Sequence, residues 1–339
     1  MTSVIWKNGK QALVRTERDD LCGFSYLNVI EAVDSLPLDY TFHRAFRDNV
    51  YRLQSHYGID IGYVSQCVLD ELKRVAPLEF DQLFYFSVEE HIIRFRRFDF
   101  DTRNRMLHNI CLILREKSTL TCVSGWRDEK YAVYADQVPY FLLERALSGA
   151  FGIITYGVHV NGFVKDPKTG EIRVWVPRRS YTKSRWPGKL DNLFAGGISY
   201  PYNVFETLMK EGMEEASLPS DLLEKNARAV GVVSYFHHNY TGNFTTEDSF
   251  VNGEVEYLYD LELPPDVIPT PNDDEVDHFS LMSLQKVIDS IKLGEFKPNC
   301  ALVMVEFLIR HGYINAENEP RYLDLVTRMH RTLPFPTRM

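Results

Sequence analysis

The sequence predicts an α+β protein in two unequal parts. A mainly helical region at residues 1–145 precedes a layered strand-and-helix domain at 146–320, and a C-terminal extension covers 321–339. Three observations carry that prediction. Through "YLNVIEAVDSL", "VSQCVLDELKRV" and "FDTRNRMLHNICLILREK", apolar residues recur at three- and four-residue spacing, a helical period. From "FGIITYGVHVNGFV" onward, β-branched and aromatic residues alternate with small or polar ones, a strand period. Strands and helices then interleave, which layers helices on a sheet.

Composition sets the outer bounds. The 339 residues, 45% hydrophobic and 25% charged, suit a soluble globular chain long enough for a core in each part. A net charge of −9 gives no overall footprint for nucleic acid or for a membrane surface. No apolar run approaches the ~20 residues of a membrane span, and "MTSVIWKNGKQALVRTERDD" lacks the apolar core of a signal peptide. Cys22, Cys67, Cys111, Cys122 and Cys300 form no C-x-x-C and no zinc spacing, so reduced thiols and a cytoplasmic location are expected. The oligomeric state is open.

In the first part, Asp101 is the expected cap of a helix whose inner stripe is Met106, Ile110 and Leu114. "LFYFSVEEHIIRF" reads as a short strand or hairpin element, and no catalytic cluster is expected in this region. In the second part, "FGIITYGVHVNGFV" and "EIRVWVPRR" flank the turn "DPKTG" as a hairpin. A helix at 203–219 follows, then strands "ARAVGVVSYFHH" and "VEYLYDLELP", then helices near 283–293 and 298–312.

The helix "NVFETLMKEGMEEASLP" carries an unusual charge pattern. Phe205, Leu208, Met209, Gly212 and Ala216 fall on one stripe, and Glu211, Glu214 and Glu215 crowd the adjacent arc, roughly 100° wide. Lys210 can serve Glu206 and Glu214, which leaves Glu211 and Glu215 without a base. A solvated acidic face is one reading. A divalent cation held by the carboxylates is the other, since hard cations such as Mg²⁺ take carboxylate oxygens together with substrate phosphates.

The segment leading into the helix separates these readings. From Gly196 to Leu218, "GGISYPYNVFETLMKEGMEEASL" resembles the Nudix box, G-x5-E-x7-R-E-U-x-E-E-x-G-U. Tyr202, Lys210, Gly212 and Ser217 depart from it, but the three metal-binding positions remain. Asn203 with Glu206 three residues later offers a replacement helix cap, and Gly212 would let the helix approach the sheet closely. The stretches "VWVPRRSYTKSRWPGKLDNLFAGGIS", "EVEYLYDLELP", "DDEVDHFSLMS", "FKPNCALVMVEFLIRHG" and "GWRDEKYAVY" resemble the thiamine-pyrophosphokinase-related Nudix subfamily of fungi and plants, over nearly the whole chain.

That resemblance implies a Nudix α/β/α sandwich with a mixed sheet. It also implies a Mg²⁺-dependent hydrolase, with Mn²⁺ as a substitute, that removes the terminal phosphate of oxo- and oxythiamine diphosphate to leave the monophosphate. Glu211, Glu214 and Glu215 would hold the metal, and Glu275 would add a later carboxylate as ligand or base, giving Glu211, Glu215 and Glu275 as catalytic candidates. The basic run from Arg173 to Lys189 supplies Arg178, Arg179, Lys183 and Lys189 to meet a diphosphate beside Gly196 and Gly197. Trp126, Tyr156, Trp175, Trp186 and Phe236 are the aromatics available to a ring. Glu254 and Glu256, alternating on a strand, are expected on an outward face. Hydrolysis of another diphosphate, such as a nucleoside diphosphate derivative or ADP-ribose, is the alternative within enzymes. A catalytically silent binding module of the same fold is the alternative outside them.

Overall fold

A computed structural model describes residues 2–7, 9–238 and 244–338. Its centre is a six-stranded mixed sheet. Ala227–His238, Val251–Glu262, Ile154–Lys165, Ile172–Arg179 and Val276–Ser283 lie side by side in that order, and Phe194–Gly197 pairs with Ile154–Lys165. Val251–Glu262 runs parallel to Ile154–Lys165, and the other pairings are antiparallel.

Helices cover both faces, which is the expected α/β/α arrangement. Val204–Ala216 and Ser220–Asn226 bring Leu208, Ala216 and Leu223 onto Val158, Val160 and Phe194. On the other face, Leu284–Lys292 and Pro298–Arg310 bury Val287, Ile288, Leu302 and Phe307 against Phe163, Val174 and Val233.

The N-terminal region corrects the sequence reading, because it is α+β rather than mainly helical. Strands Asp60–Ser65, Val50–Gln54, Ile92–Phe95 and Phe84–Ser87 form a four-stranded sheet. Helices Gln66–Val75, Pro77–Leu83 and Phe100–Lys117 pack Val68, Leu72, Phe80, Leu107 and Ile110 on it. The long helix has the expected extent. Its cap, however, is Asp99, whose side chain accepts from the Thr102 amide at 2.8 Å, and Asp101 sits inside the first turn. A hairpin, Lys130–Tyr134 with Pro139–Glu144, leads from this sheet to the central one.

The chain ends cross the proposed division. Leu13, Tyr26, Leu27, Ile30 and Val33 share one core with Val305, Phe307 and Leu308 of the helix Pro298–Arg310. The Ile172 amide donates to Gln11 at 3.0 Å, and the Val4 amide to Gln285 at 2.7 Å. Residues 321–338 strap the whole together. Arg328 and Arg331 both bind the buried Asp34, and the Phe335 ring lies 4.8 Å from Tyr63 of the four-stranded sheet.

Candidate active site

The acidic helix is set by local rules. The Glu206 amide donates to Asn203 at 2.9 Å, and the Asn203 amide to the Glu206 carboxylate at 2.8 Å, a reciprocal cap. Gly212 is where the helix meets its neighbours. A Cβ there would lie 2.7 Å from Leu223 and 3.0 Å from the ring of Phe194 on the sheet. The helix ends at Ser217, which holds left-handed backbone at φ 52°, a position that favours glycine. Ser217→Gly should therefore stabilise the protein by about 1 kcal/mol, read as a higher denaturation midpoint at unchanged m-value.

The same helix presents its carboxylates to the strand Phe194–Gly197. The Glu211 carboxyl occupies the space a Cβ on Gly196 would need, so the glycine lets it lie against the backbone. Glu215 accepts the Ala195 amide at 3.1 Å. Burial pushes both carboxyls above their ordinary values. For Glu215 the negative charges of Asp191, Glu211 and Glu275 add to that shift, and Lys210 partly offsets it for Glu211.

Lys210 lies 3.2 Å from Glu211 and 3.0 Å from Glu214. It therefore reaches Glu211 instead of Glu206, whose carboxylate is taken by the cap. Glu214 is the most exposed of the three and turns to Lys210. Among the described residues, no three His, Cys, Asp or Glu side chains are gathered at metal-ligating spacing. Glu211 and Glu215 nonetheless suit a divalent ion: two partly buried carboxylates lie near each other, and Lys210 pairs with Glu211 but not with Glu215.

Glu275 comes to the same rim. It immediately precedes the strand Val276–Ser283 and pairs with Lys183 at 2.5 Å. Burial works to raise its carboxyl, but Lys183, Arg127 and Arg179 hold it below the ordinary value.

The basic residues divide by task. Arg178 donates to the Gly188 carbonyl at 2.7 Å and Lys189 to the Gly294 carbonyl at 2.6 Å, so both hold the loop in place. Arg179 pairs with buried Asp191 at 2.7 Å while its charge reaches Glu215. Burial would raise Asp191, yet Lys297, Arg179 and the Cys300 thiol hold it at about 2. Arg179 and Lys183 are thus the two cations of the run that stand at the carboxylate rim. Of the aromatics, Tyr156, Trp175 and Phe236 are buried in the cores, Trp126 bonds Asp128, and Trp186 is exposed.

Two features escaped the sequence reading. Glu254 and Glu256 do not face outward. Glu256 is 4% exposed, and the Tyr235 hydroxyl is shared between the two carboxylates. Strand alternation says only that neighbours point opposite ways, and helices cover both faces of this sheet. The N-terminal part also reaches the site. Arg145 lies 5.7 Å from the Tyr131 ring and its charge is felt by Glu211, while the Tyr131 hydroxyl fills the space beside Gly197. The "GWRDEKYAVY" stretch was the signal for that approach.

Comparison with known proteins places this arrangement. Residues 42–155 match the family described as "Domain of unknown function (DUF4743)". The "Uncharacterized protein YJR142W" of Saccharomyces cerevisiae is 50% identical over 97% of this chain and 97% of its own length. "Nudix hydrolase 24, chloroplastic" of Arabidopsis thaliana is 39% identical, and "Nudix hydrolase 20, chloroplastic" of the same plant 38%, each over 68% of this chain. The chain spans 60% and 58% of the length of those two plant relatives. Among solved structures, the MutT protein from Methanosarcina mazei Go1 aligns over 47% of this chain and 96% of its own, at 15% identity and a TM-score of 0.34, an overlap too small to weigh. An α/β/α hydrolase domain with a carboxylate helix entered through a glycine loop is the class that emerges. Two plant relatives at 38–39% identity are Nudix hydrolases, and the likeness to them spans about two thirds of this chain.

Proposed function

We propose that this protein is a divalent-cation-dependent diphosphate hydrolase, with Mg²⁺ as the working ion and Mn²⁺ as a substitute. Its preferred substrates are oxo- and oxythiamine diphosphate, cleaved to the monophosphate and phosphate. The observation that carries the hydrolase reading is the placement of Glu211 and Glu215, two partly buried carboxylates pressed onto the glycine loop without enough cation to balance them. Glu211 and Glu215 would hold the ion, and Glu214, paired to Lys210, is the third expected ligand. When bound, the ion neutralises diphosphate oxygens and lowers the pKa of water.

The remaining roles fall to groups already at the rim. Lys183 and Arg179 offer charge to the diphosphate, and Glu275 stands beside them as the candidate proton acceptor for the attacking water. Glu275 is released for that role when substrate draws Lys183 away from it. Five unpaired cysteines support a reducing compartment such as the cytoplasm, and no described helix is long and apolar enough to cross a membrane.

The test is turnover of a diphosphate panel by the full chain with Mg²⁺ or with a chelator. The panel contains thiamine diphosphate, its oxo and oxy forms, a nucleoside diphosphate and ADP-ribose. Mg²⁺-dependent cleavage with the oxo and oxy forms leading in kcat/KM is expected. Equal kcat/KM for the three thiamine compounds rejects the substrate assignment, and absence of any cleavage rejects the hydrolase.

A further inference from the structure

On the strands Phe194–Gly197 and Ile154–Lys165, Gly197 and Gly157 stand directly opposite each other in register. Paired residues of an antiparallel sheet point to the same face with side-chain positions about 5 Å apart. Neither residue has a side chain, and other groups fill both positions. Above Gly157 sits the Oε2 atom of Glu256, and above Gly197 sits the Tyr131 hydroxyl. A carboxylate and a phenol are thereby brought next to each other, on the other face of the edge strand from the Gly196 position that seats Glu211.

Both groups have hydrogen-bonding capacity to spare. The Oε1 atom of Glu256 collects the protein's donors: Tyr235 at 3.1 Å, Asn299 at 3.4 Å and the His159 ring at 3.5 Å. Its Oε2 atom lies over Gly157, and the carboxylate also takes a side-chain hydrogen bond from Glu254, which leaves Oε2 with lone-pair capacity for a further donor. Tyr131 is 7% exposed, and its hydroxyl forms no hydrogen bond among the described residues. Glu254 leans on Glu256 and takes the Tyr235 hydroxyl. Burial favours neutral carboxyls here, but His159 and Lys297 keep Glu256 the charged member and leave Glu254 raised.

Resting on the diphosphate-hydrolase reading, we propose that Glu256 and Tyr131 form the subsite that selects the heterocycle, accepting a ring N–H at the Glu256 carboxylate and donating the Tyr131 hydroxyl to the adjacent ring carbonyl. A lactam ring offers that pair. An amino-substituted ring offers a nitrogen lone pair to the carboxylate, so acceptor meets acceptor. A hydroxyl can accept from an amino group, so the carboxylate does most of the discriminating. Such a buried mismatch costs about tenfold to a hundredfold in kcat/KM.

The experiment compares oxythiamine diphosphate (lactam) with thiamine diphosphate (amino) at matched Mg²⁺, using the full chain and its Glu256→Gln and Tyr131→Phe variants. The unaltered chain should favour the lactam. The carboxamide of Glu256→Gln can donate to the bare ring nitrogen, so the lactam-to-amino ratio of kcat/KM should fall at least tenfold. Tyr131→Phe should lower kcat/KM for the lactam severalfold, mainly through KM. A ratio within twofold of the unaltered chain in both variants, at matching thermal midpoints, overturns the subsite while the hydrolase stands. So does an unaltered chain that prefers the amino form or neither. Should Glu256→Gln fail to fold, Tyr131→Phe decides alone through its kcat/KM for the lactam, and an unchanged value overturns the subsite. No turnover of any diphosphate by the unaltered chain removes the subsite and the hydrolase reading together.

Discussion

Glu215→Gln is expected to lower diphosphate turnover by roughly a hundred- to a thousand-fold with the fold intact. The carboxamide oxygen can still accept the Ala195 amide, so the loss is one of charge. The metal-free protein gives a second readout. Burial first, and then the charges of Asp191 and Glu211, raise the folded-state pKa of Glu215 well above its ordinary 4.5. The folded chain therefore binds this proton more tightly than the unfolded chain does. Stability from this group is full below 4.5 and is lost as pH rises from there through the folded value. Glutamine removes that slope. With a chelator, the variant should match the unaltered chain at pH well below 4.5 and exceed its thermal midpoint at neutral pH. Near-normal Mg²⁺-dependent turnover would sink the ligand assignment.

What the sequence made legible was governed by neighbours along the chain. The Asn203–Glu206 cap and the close approach at Gly212 each depend on a few consecutive residues, and both occur where the spacing placed them. Long strands such as Ala227–His238 and helices such as Phe100–Lys117 likewise follow from sustained periods. Short strands did not. Val50–Gln54 and Asp60–Ser65 are only 5 and 6 residues long, and neighbouring helical periods drowned them.

The candidate site was legible in type more than in role. Charge composition located the run from Arg173 to Lys189, yet it says nothing of which cation meets a backbone carbonyl. Arg178 and Lys189 do so, whereas Arg179 and Lys183 stand among carboxylates. Glu254 and Glu256 were misread because a doubly covered sheet has no outward face to assign. Tyr131 and Arg145 come from far upstream, and only long-range packing brings them to the glycine loop.

Asp34→Ala should destabilise the chain by about 3–5 kcal/mol, the largest stability effect expected of a single change here. Asp34 has a fully buried side chain and receives Arg328 at 2.9 Å and Arg331 at 2.8 Å, while its Oδ1 also accepts the Phe236 amide at 3.1 Å. Removing it leaves the Arg331 guanidinium, itself 6% exposed, without its carboxylate, and it orphans a backbone donor in the central sheet. Arg331 would keep only the Leu36 and Pro37 carbonyls. The damage extends past one ion pair, because these arginines lie on the strap that carries Phe335 to Tyr63. Both chain ends should loosen together. Thermal unfolding with proteolysis of the folded state checks this: cleavage within 321–338 should precede global unfolding in the variant. A loss of less than about 1 kcal/mol would place the pair among surface ion pairs and deny the strap its role in joining the two sheets.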